Sequence, residues 1–416
     1  MAEPIRSRLH HALRHPRRRA ILNTEATKLM KPTTAIEGYR SGWRDEVTEA
    51  LYEVAADFFE RTLVANREKY EKQHMVDREV WLEAGELGLL CCSVPEEYGG
   101  GGGTIEHDLA VVEAQSHSGD LSWVNAAHSG IVAHYLVAYG TEDQKRTWLP
   151  RMASGEVVGA IAMTEPAAGS DLKNIRTRAV RDGDEYVIDG SKIFISNGQQ
   201  ADLFITAVKT GPGTGARGIS MLLVEADRPG FSRGRNLDKI GQLSADTSEL
   251  TFEGVRVPVS NLLGATEGQG FAQMMAQLPQ ERLFVGMSAV AITELALSLT
   301  TRYTKEREAF GGTIWDLQNT QFTLAEVATE AHVARVFLDS CIERSLDGTL
   351  DTTAAAMLKY WTTDLQCSAI DRCLQFFGGY GYMREYQIAR LYQDARVQRI
   401  YGGSNEVMKL LVARAL

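Results

Sequence analysis

The hydrophobic period changes twice along this chain, from helical to strand-like after Gly155 and back to helical at Phe271, and no other feature restricts the fold so far. From Asp45 to about Pro150 the spacing is helical. Val54, Phe58, Phe59 and Leu63 form one stripe, and residues 79–90 form a second amphipathic run. Residues 121–139 read as a buried helix, and Thr141 with Gln144 matches the capping-box pattern of a helix start. Then β-formers alternate with turn residues: 186–188, a turn at Asp189-Gly190, 193–195, 203–208, 219–224 and 250–252, with a loop at 211–218. Beyond Phe271, Leu283, Met287, Val290 and Ala291, then Ile292, Leu295 and Leu299, return to helical spacing. Breaks at Gly311-Gly312, Asp347-Gly348 and 378–381 divide this part into long helices suited to a bundle. Helices, then strands, then helices imply segregated domains around a small all-β unit, and 416 residues suffice for two or three of them. A doubly wound dinucleotide fold would alternate the two and is excluded. The glycine run at 99–103 is a breaker, because no strand precedes it and no Lys-Ser/Thr follows.

The formal charge of −10 argues against a nucleic-acid binder. It is unevenly spread. Residues 1–31 hold eight Lys/Arg and two Asp/Glu, a net of +6, which leaves −16 for the rest. Arg6, Arg8, Arg14, Arg17, Arg18 and Arg19 give this arm some likeness to a mitochondrial transit peptide, but Pro4 and Pro16 interrupt it, and we read it as a solvated tail. No apolar run approaches the ~20 residues of a membrane span. Cys91, Cys92, Cys341, Cys367 and Cys373 show no pairing pattern and read as reduced thiols, which suits a bacterial cytoplasm, with a mitochondrial matrix as the alternative. Histidine spacing offers no metal site.

Four stretches offer chemistry. Residues 163–171 (Met-Thr-Glu-Pro-Ala-Ala-Gly-Ser-Asp) keep side chains small, so backbone amides and the Thr164 and Ser170 hydroxyls can meet an anion or a ring edge; an empty tight loop is the plain alternative. Residues 190–198 place Phe194 and Ser196 at the end of a strand, equally readable as a half-buried residue and a turn. Residues 402–406 (Gly-Gly-Ser-Asn-Glu) precede a final helix that Ser404 or Asn405 can cap, with free amides suited to a phosphate or ring edge. Residues 278–282 (Leu-Pro-Gln-Glu-Arg) set Glu281, after Pro279, at the opening of the first long helix of the bundle. A macrodipole-favoured acid would sit there too.

Taken together and in this order, these stretches resemble the acyl-CoA dehydrogenases, over about residues 40–416. The resemblance implies a mainly α fold with a central β domain: a basic arm (1–40), an N-terminal helical domain (41–158), a middle β-barrel (159–270) and a C-terminal four-helix bundle (271–416), assembled as a homotetramer. It implies FAD as cofactor, an acyl-CoA substrate and electron-transfer flavoprotein as electron acceptor. The implied cofactor contacts are Met163, Thr164, Gly169, Ser170, Phe194, Ile195, Ser196, Arg307, Phe310, Gln318, Gln375, Gly378, Gly379, Ser404, Asn405 and Glu406. Arg307, in an Arg-x-x-Phe-Gly pattern, resembles the residue that reaches the flavin pyrophosphate of a neighbouring subunit, as a guanidinium fork suits. Ser170, Arg282, Gly402 and Gly403 are the implied substrate contacts. In much of the family the position of Gly402 holds the catalytic glutamate, which is missing here. The long-chain and isovaleryl subgroups instead carry their base at the position of Glu281, opposite a small residue. Long-chain members are the nearest likeness, given residues 278–283, 359–361 and 400–406. The implied reaction removes an α-proton to Glu281 and a β-hydride to flavin N5, giving a trans-2-enoyl-CoA. Branched or terpenoid acyl groups, or a non-catalytic acyl-CoA- or flavin-binding role, are the alternatives.

Overall fold

A computed structural model describes residues 38–211 and 215–416. Residues 1–37 of the basic arm and 212–214 at the tip of the 211–218 loop lie outside the described residues. The first helix, α1 (Glu46–Phe59), starts at Asp45, whose carboxylate accepts from the Val47 and Thr48 amides while the Thr48 hydroxyl accepts from the Asp45 amide. It is followed by α2 (Arg67–Gln73), α3 (Arg78–Glu86) and the buried α4 (Ile105–Ser118). The run expected at 79–90 stops at Glu86, and Gly88 (φ +71°) turns the chain away. The helix expected from 121 begins only at Asn125 and passes through a π-helical turn, His128–Val132, into α5 (Ala133–Tyr139). The Thr141–Gln144 capping box opens α6 (Glu142–Ala153), and the Gln144 side chain also reaches the carbonyls of Ser260 and Leu262, fastening α6 to the β domain.

Seven strands follow: β1 (Gly159–Ala162), β2 (Arg178–Asp182), β3 (Glu185–Ser196), β4 (Leu203–Lys209), β5 (Ile219–Glu225), β6 (Phe231–Asn236) and β7 (Thr247–Pro258). They form one sheet in the order β1-β4-β2-β3-β7-β6, with β5 on β4. The sheet curls on itself: Phe204 on β4 and Phe231 on β6 are not on neighbouring strands, yet their rings lie 5.0 Å apart over a shared core with Ile188, Leu222 and Leu250. The turn expected at Asp189-Gly190 is a register shift within the continuous strand β3. Gly190 (φ +149°) lets β3 pass Thr177, whose Cα would lie 2.7 Å from a Cβ there.

The C-terminal part is a helical bundle of α7 (Gly270–Glu306), α8 (Gln318–Leu346) and α9 (Thr352–Gln375), with α10 (Gln387–Ala395) and α11 (Asn405–Ala413) packed against it. Helix α7 begins eleven residues before Glu281, so Glu281 is an interior residue and Pro279 lies within the helix. Packing accounts for the early start: a Cβ at Gly270 would lie 2.7 Å from the Ser220 carbonyl carbon on β5, and Gln273 Nε2 donates to Leu263 O at 3.2 Å. These contacts hold the first turns of α7 in spite of the donor that Pro279 removes. An 18-residue window of α7 is apolar enough to span a membrane by length and composition, but 83% of it is buried within the protein, as in a core helix. Leu283, Phe284, Met287 and Val290 on α7 pack with Leu338 and Ile342 on α8, Leu358 on α9 and Leu109 on α4. At the seam with α4, Arg335 lies 2.8 Å from Glu113 and 2.9 Å from Glu294 in a buried network. Glu113, His117 and Glu294 are the one group of metal-ligand type among the described residues, and the Arg335 guanidinium already bridges its two carboxylates. The five cysteines are unpaired.

Candidate active site

The helical start of α7 places Glu281 in its interior with 9% exposure. Burial raises its pKa to about 7; a hydrogen bond from Tyr135 and the charge of Arg282 act in the opposite direction. Tyr135, on α5, donates its hydroxyl to Glu281 Oε1 at 3.1 Å. Arg282 is also buried, and its Nε faces the Gly402 carbonyl at 3.5 Å while its Nη1 has no hydrogen-bond partner among the described residues. Arg282 therefore does not face solvent.

Across from α7 runs the glycine turn. Gly402 has φ +65°, and a Cβ there would meet Val285 Cγ2 at 3.7 Å and Lys359 Cε at 4.0 Å, both ordinary contacts. Backbone conformation, and not lack of room for one carbon, favours glycine at 402. At Gly403 (φ +92°) a Cβ would lie 2.6 Å from Met408 Cε, the movable end of a flexible side chain, so there too backbone conformation favours glycine. Lys359 on α9 holds this turn, its Nζ donating to Gly403 O at 2.7 Å and Asn405 Oδ1 at 2.9 Å. Ser404 caps α11 through Val407 N. The Asn405 side chain is committed to α9, donating to Tyr360 O, Thr363 Oγ1 and Asp364 Oδ1, which leaves only its backbone for a ligand. Glu406 is exposed in the first turn of α11.

A second cluster lies where β1 and β3 meet. Met163, Thr164, Gly169 and Ser170 belong to the loop after β1, and Ile193 N donates to Thr164 O, joining that loop to β3. The buried Lys192–Glu165 pair, at 2.8 Å, reinforces the junction. Phe194 has φ +61° and is 63% exposed, a strained backbone and an apolar ring held out to solvent, while its neighbour Ile195 points into the β core. Ser196 ends the strand half-buried. None of the described residues comes within 4 Å of a Cβ built at Gly169. An open loop of amides beside an exposed ring fits one end of a flat aromatic cofactor.

The third cluster stands apart. Arg307, at the end of α7, follows Glu281 by twenty-six residues, roughly 39 Å along the helix. Arg307 lies over the Tyr380 ring and lines a groove of about 380 Å³ with Gly378 and Gly379, at neither of which a Cβ would meet any of the described residues within 4 Å. Phe310 (φ +55°) is almost wholly exposed nearby in sequence, and Gln318 and Gln375 are also exposed. An open groove with a guanidinium fits a phosphate-bearing ligand half. Its distance from Glu281 suits contact with a second copy's cofactor, as the resemblance implies.

Tyr135, the Lys192–Glu165 pair and the hold of Lys359 on the glycine turn did not emerge from sequence reading. Lys192 and Lys359 lie within the stretches 190–198 and 359–361. Tyr135 had no local signal, being one aromatic in an apolar helix.

A buried carboxylate of pKa about 7 across from a glycine turn, with a separate open loop beside an exposed ring, fits an oxidoreductase that holds a flat cofactor. Three domain profiles cover the chain: acyl-CoA dehydrogenase N-terminal domain (residues 45–156), middle domain (160–255) and C-terminal domain (268–416). The chain belongs to the acyl-CoA dehydrogenase family, FAD-dependent oxidoreductases. It is 45% identical to the mitochondrial long-chain specific acyl-CoA dehydrogenase of Sus scrofa over 361 residues, covering 86% of this chain and 84% of that protein. It is 33% identical to the mitochondrial isovaleryl-CoA dehydrogenase of Solanum tuberosum, covering 89% and 91%. An acyl-CoA dehydrogenase structure from Geobacillus kaustophilus matches with a TM-score of 0.88 at 43% identity, covering 90% of this chain and 99% of that one.

Proposed function

We propose that this enzyme introduces a trans-2,3 double bond into a medium- or long-chain acyl-CoA, with Glu281 as the base. The observation that carries this reading is the pairing of a buried carboxylate of pKa about 7 with a glycine turn that bears no carboxylate of its own. Glu281 takes the α-proton. The Gly402 amide donates to the thioester oxygen, where negative charge develops, and Arg282 steadies the turn through the Gly402 carbonyl. FAD, when bound, supplies the acceptor for the hydride leaving the β-carbon. Met163, Thr164, Gly169, Ser170, Phe194 and Ser196 would hold its ring end, and a second copy's Arg307, Gln318, Gln375, Gly378 and Gly379 its phosphate end. Gly403 would line the thioester side of the pocket, and Arg282 Nη1, without a partner among the described residues, would serve the CoA part.

A branched acyl substrate is the second reading, favoured by the likeness to isovaleryl-CoA dehydrogenase. Electron-transfer flavoprotein as acceptor and a homotetramer complete the proposal; the unpaired cysteines support a reducing compartment, bacterial cytoplasm before mitochondrial matrix. Anaerobic titration of the FAD-loaded enzyme with straight-chain and branched acyl-CoAs tests it. Flavin bleaching by straight chains supports the main reading, and preferential bleaching by branched thioesters the second. A loaded flavin that no thioester bleaches, or a Glu281→Gln variant bleached at the wild-type rate, would defeat it.

A further inference from the structure

The Tyr135–Glu281 hydrogen bond joins residues 146 apart in sequence and on different domains. Tyr135 is fully buried on α5, its ring set edge-on to Tyr139 at 6.1 Å, so the hydroxyl has little freedom. Among the described residues it is the one hydrogen-bond donor to the Glu281 carboxylate. The other groups acting on the pair are Arg282 on α7, which faces Glu281, Tyr139 on α5, and Lys359 on α9, which faces Arg282.

We propose that Tyr135 is a positioning residue for the base: its hydroxyl holds Oε1 of Glu281 and thereby presents Oε2 to the substrate. This rests on the reading of Glu281 as the base. A phenol has one proton to give, and a carboxylate is the better acceptor when ionised, so the bond favours the form that can accept the α-proton. The phenol itself stays neutral, because burial and the adjacent Glu281 both push its own pKa up. Proton abstraction weakens the bond, and its re-formation favours release of the proton afterwards. Tyr135 thus opposes burial, which alone would leave Glu281 more protonated at neutral pH.

The test is Tyr135→Phe in the FAD-loaded enzyme, which keeps the ring and its packing. The carboxyl infrared band that Glu281→Gln abolishes is titrated with pH in wild type and variant. The midpoint is expected to rise by roughly one unit. A shift of that size lowers kcat/KM at pH 7 about fivefold, with a much smaller loss on the alkaline plateau. An unmoved midpoint, or an equal rate loss at every pH, would mean that Tyr135 only packs and would overturn the proposal. Its failure is separable from failure of the base assignment, since only the latter lets Glu281→Gln turn over normally.

Discussion

Replacing Lys192 by methionine removes the cation of a buried pair and strands the anion. Lys192 Nζ lies 2.8 Å from Glu165 Oε1 and 3.1 Å from Met163 O, and the two side chains are 0% and 4% exposed. Glu165 would keep the amides of Arg176 and Thr177, at 2.5 and 2.9 Å, as its remaining donors. Breaking one side of such a pair costs about 3–5 kcal/mol, and the surviving amides place this case near the lower end, about 3 kcal/mol. At about 2–4 °C per kcal/mol for a unit of 150–250 residues, the melting temperature should fall by roughly 6–12 °C. The pair also ties the loop of Met163 and Ser170 to the strand of Phe194, so bound flavin per chain should fall with it. Thermal melts followed by flavin fluorescence, with an absorbance ratio for loading, measure both effects. Adding Glu165→Gln should recover part of the loss, because no charge is then left unpaired. A drop below about 2 °C, or a double variant that loses the sum of the two singles, would refute the reasoning.

Other expectations follow from Glu281 and the turn opposite it. With a pKa of about 7 and the ionised form active, kcat/KM should climb about tenfold per pH unit below 7 and level off above, as a steady-state pH profile will show. The raised pKa also has a stability cost: as pH rises from 4.5 to about 7 the unfolded chain gives up this proton while the folded protein keeps it, so stability falls across that window and stays lowered above it. Glu281→Gln should therefore stabilise the protein by up to roughly 3 kcal/mol at alkaline pH, a gain that fades as pH falls from 7 to 4.5 and is visible in melts across that window. In the Glu281→Gln background, Gly402→Glu should restore at least about tenfold of the 10²–10⁴ that a general base supplies. A Cβ at 402 meets only Val285, one helical turn from Glu281, and Lys359, though the φ of +65° costs about 1–2 kcal/mol. Anaerobic flavin reduction measures the rescue, and no gain over the single variant would show that the turn cannot aim a carboxylate at the substrate.

Interactions that close within a few residues were legible in the sequence. The Thr141–Gln144 box was read correctly because its partners are three residues apart, and β4 and β5 because both are mostly apolar and buried along nearly their whole length. The strands β2 and β6 were missed: Arg-Ala-Val-Arg-Asp and Phe-Ser-Arg-Gly-Arg-Asn are largely exposed and carry little apolar signal. At Asp189-Gly190 the local turn signal misled, since the glycine serves a close approach to Thr177. Pro279 misled in the same way, because contacts with β5 and with Leu263 hold the helix together before it.

The sequence by itself determined the order of helices and strands and the family, and it pointed to Glu281 because position 402 holds a glycine, since each depends on residue type and order. Only the tertiary structure decided what Glu281 is chemically. Its proton affinity is set by burial, by a tyrosine 146 positions away and by an arginine beside it, and burial and distance exist only once the chain has folded.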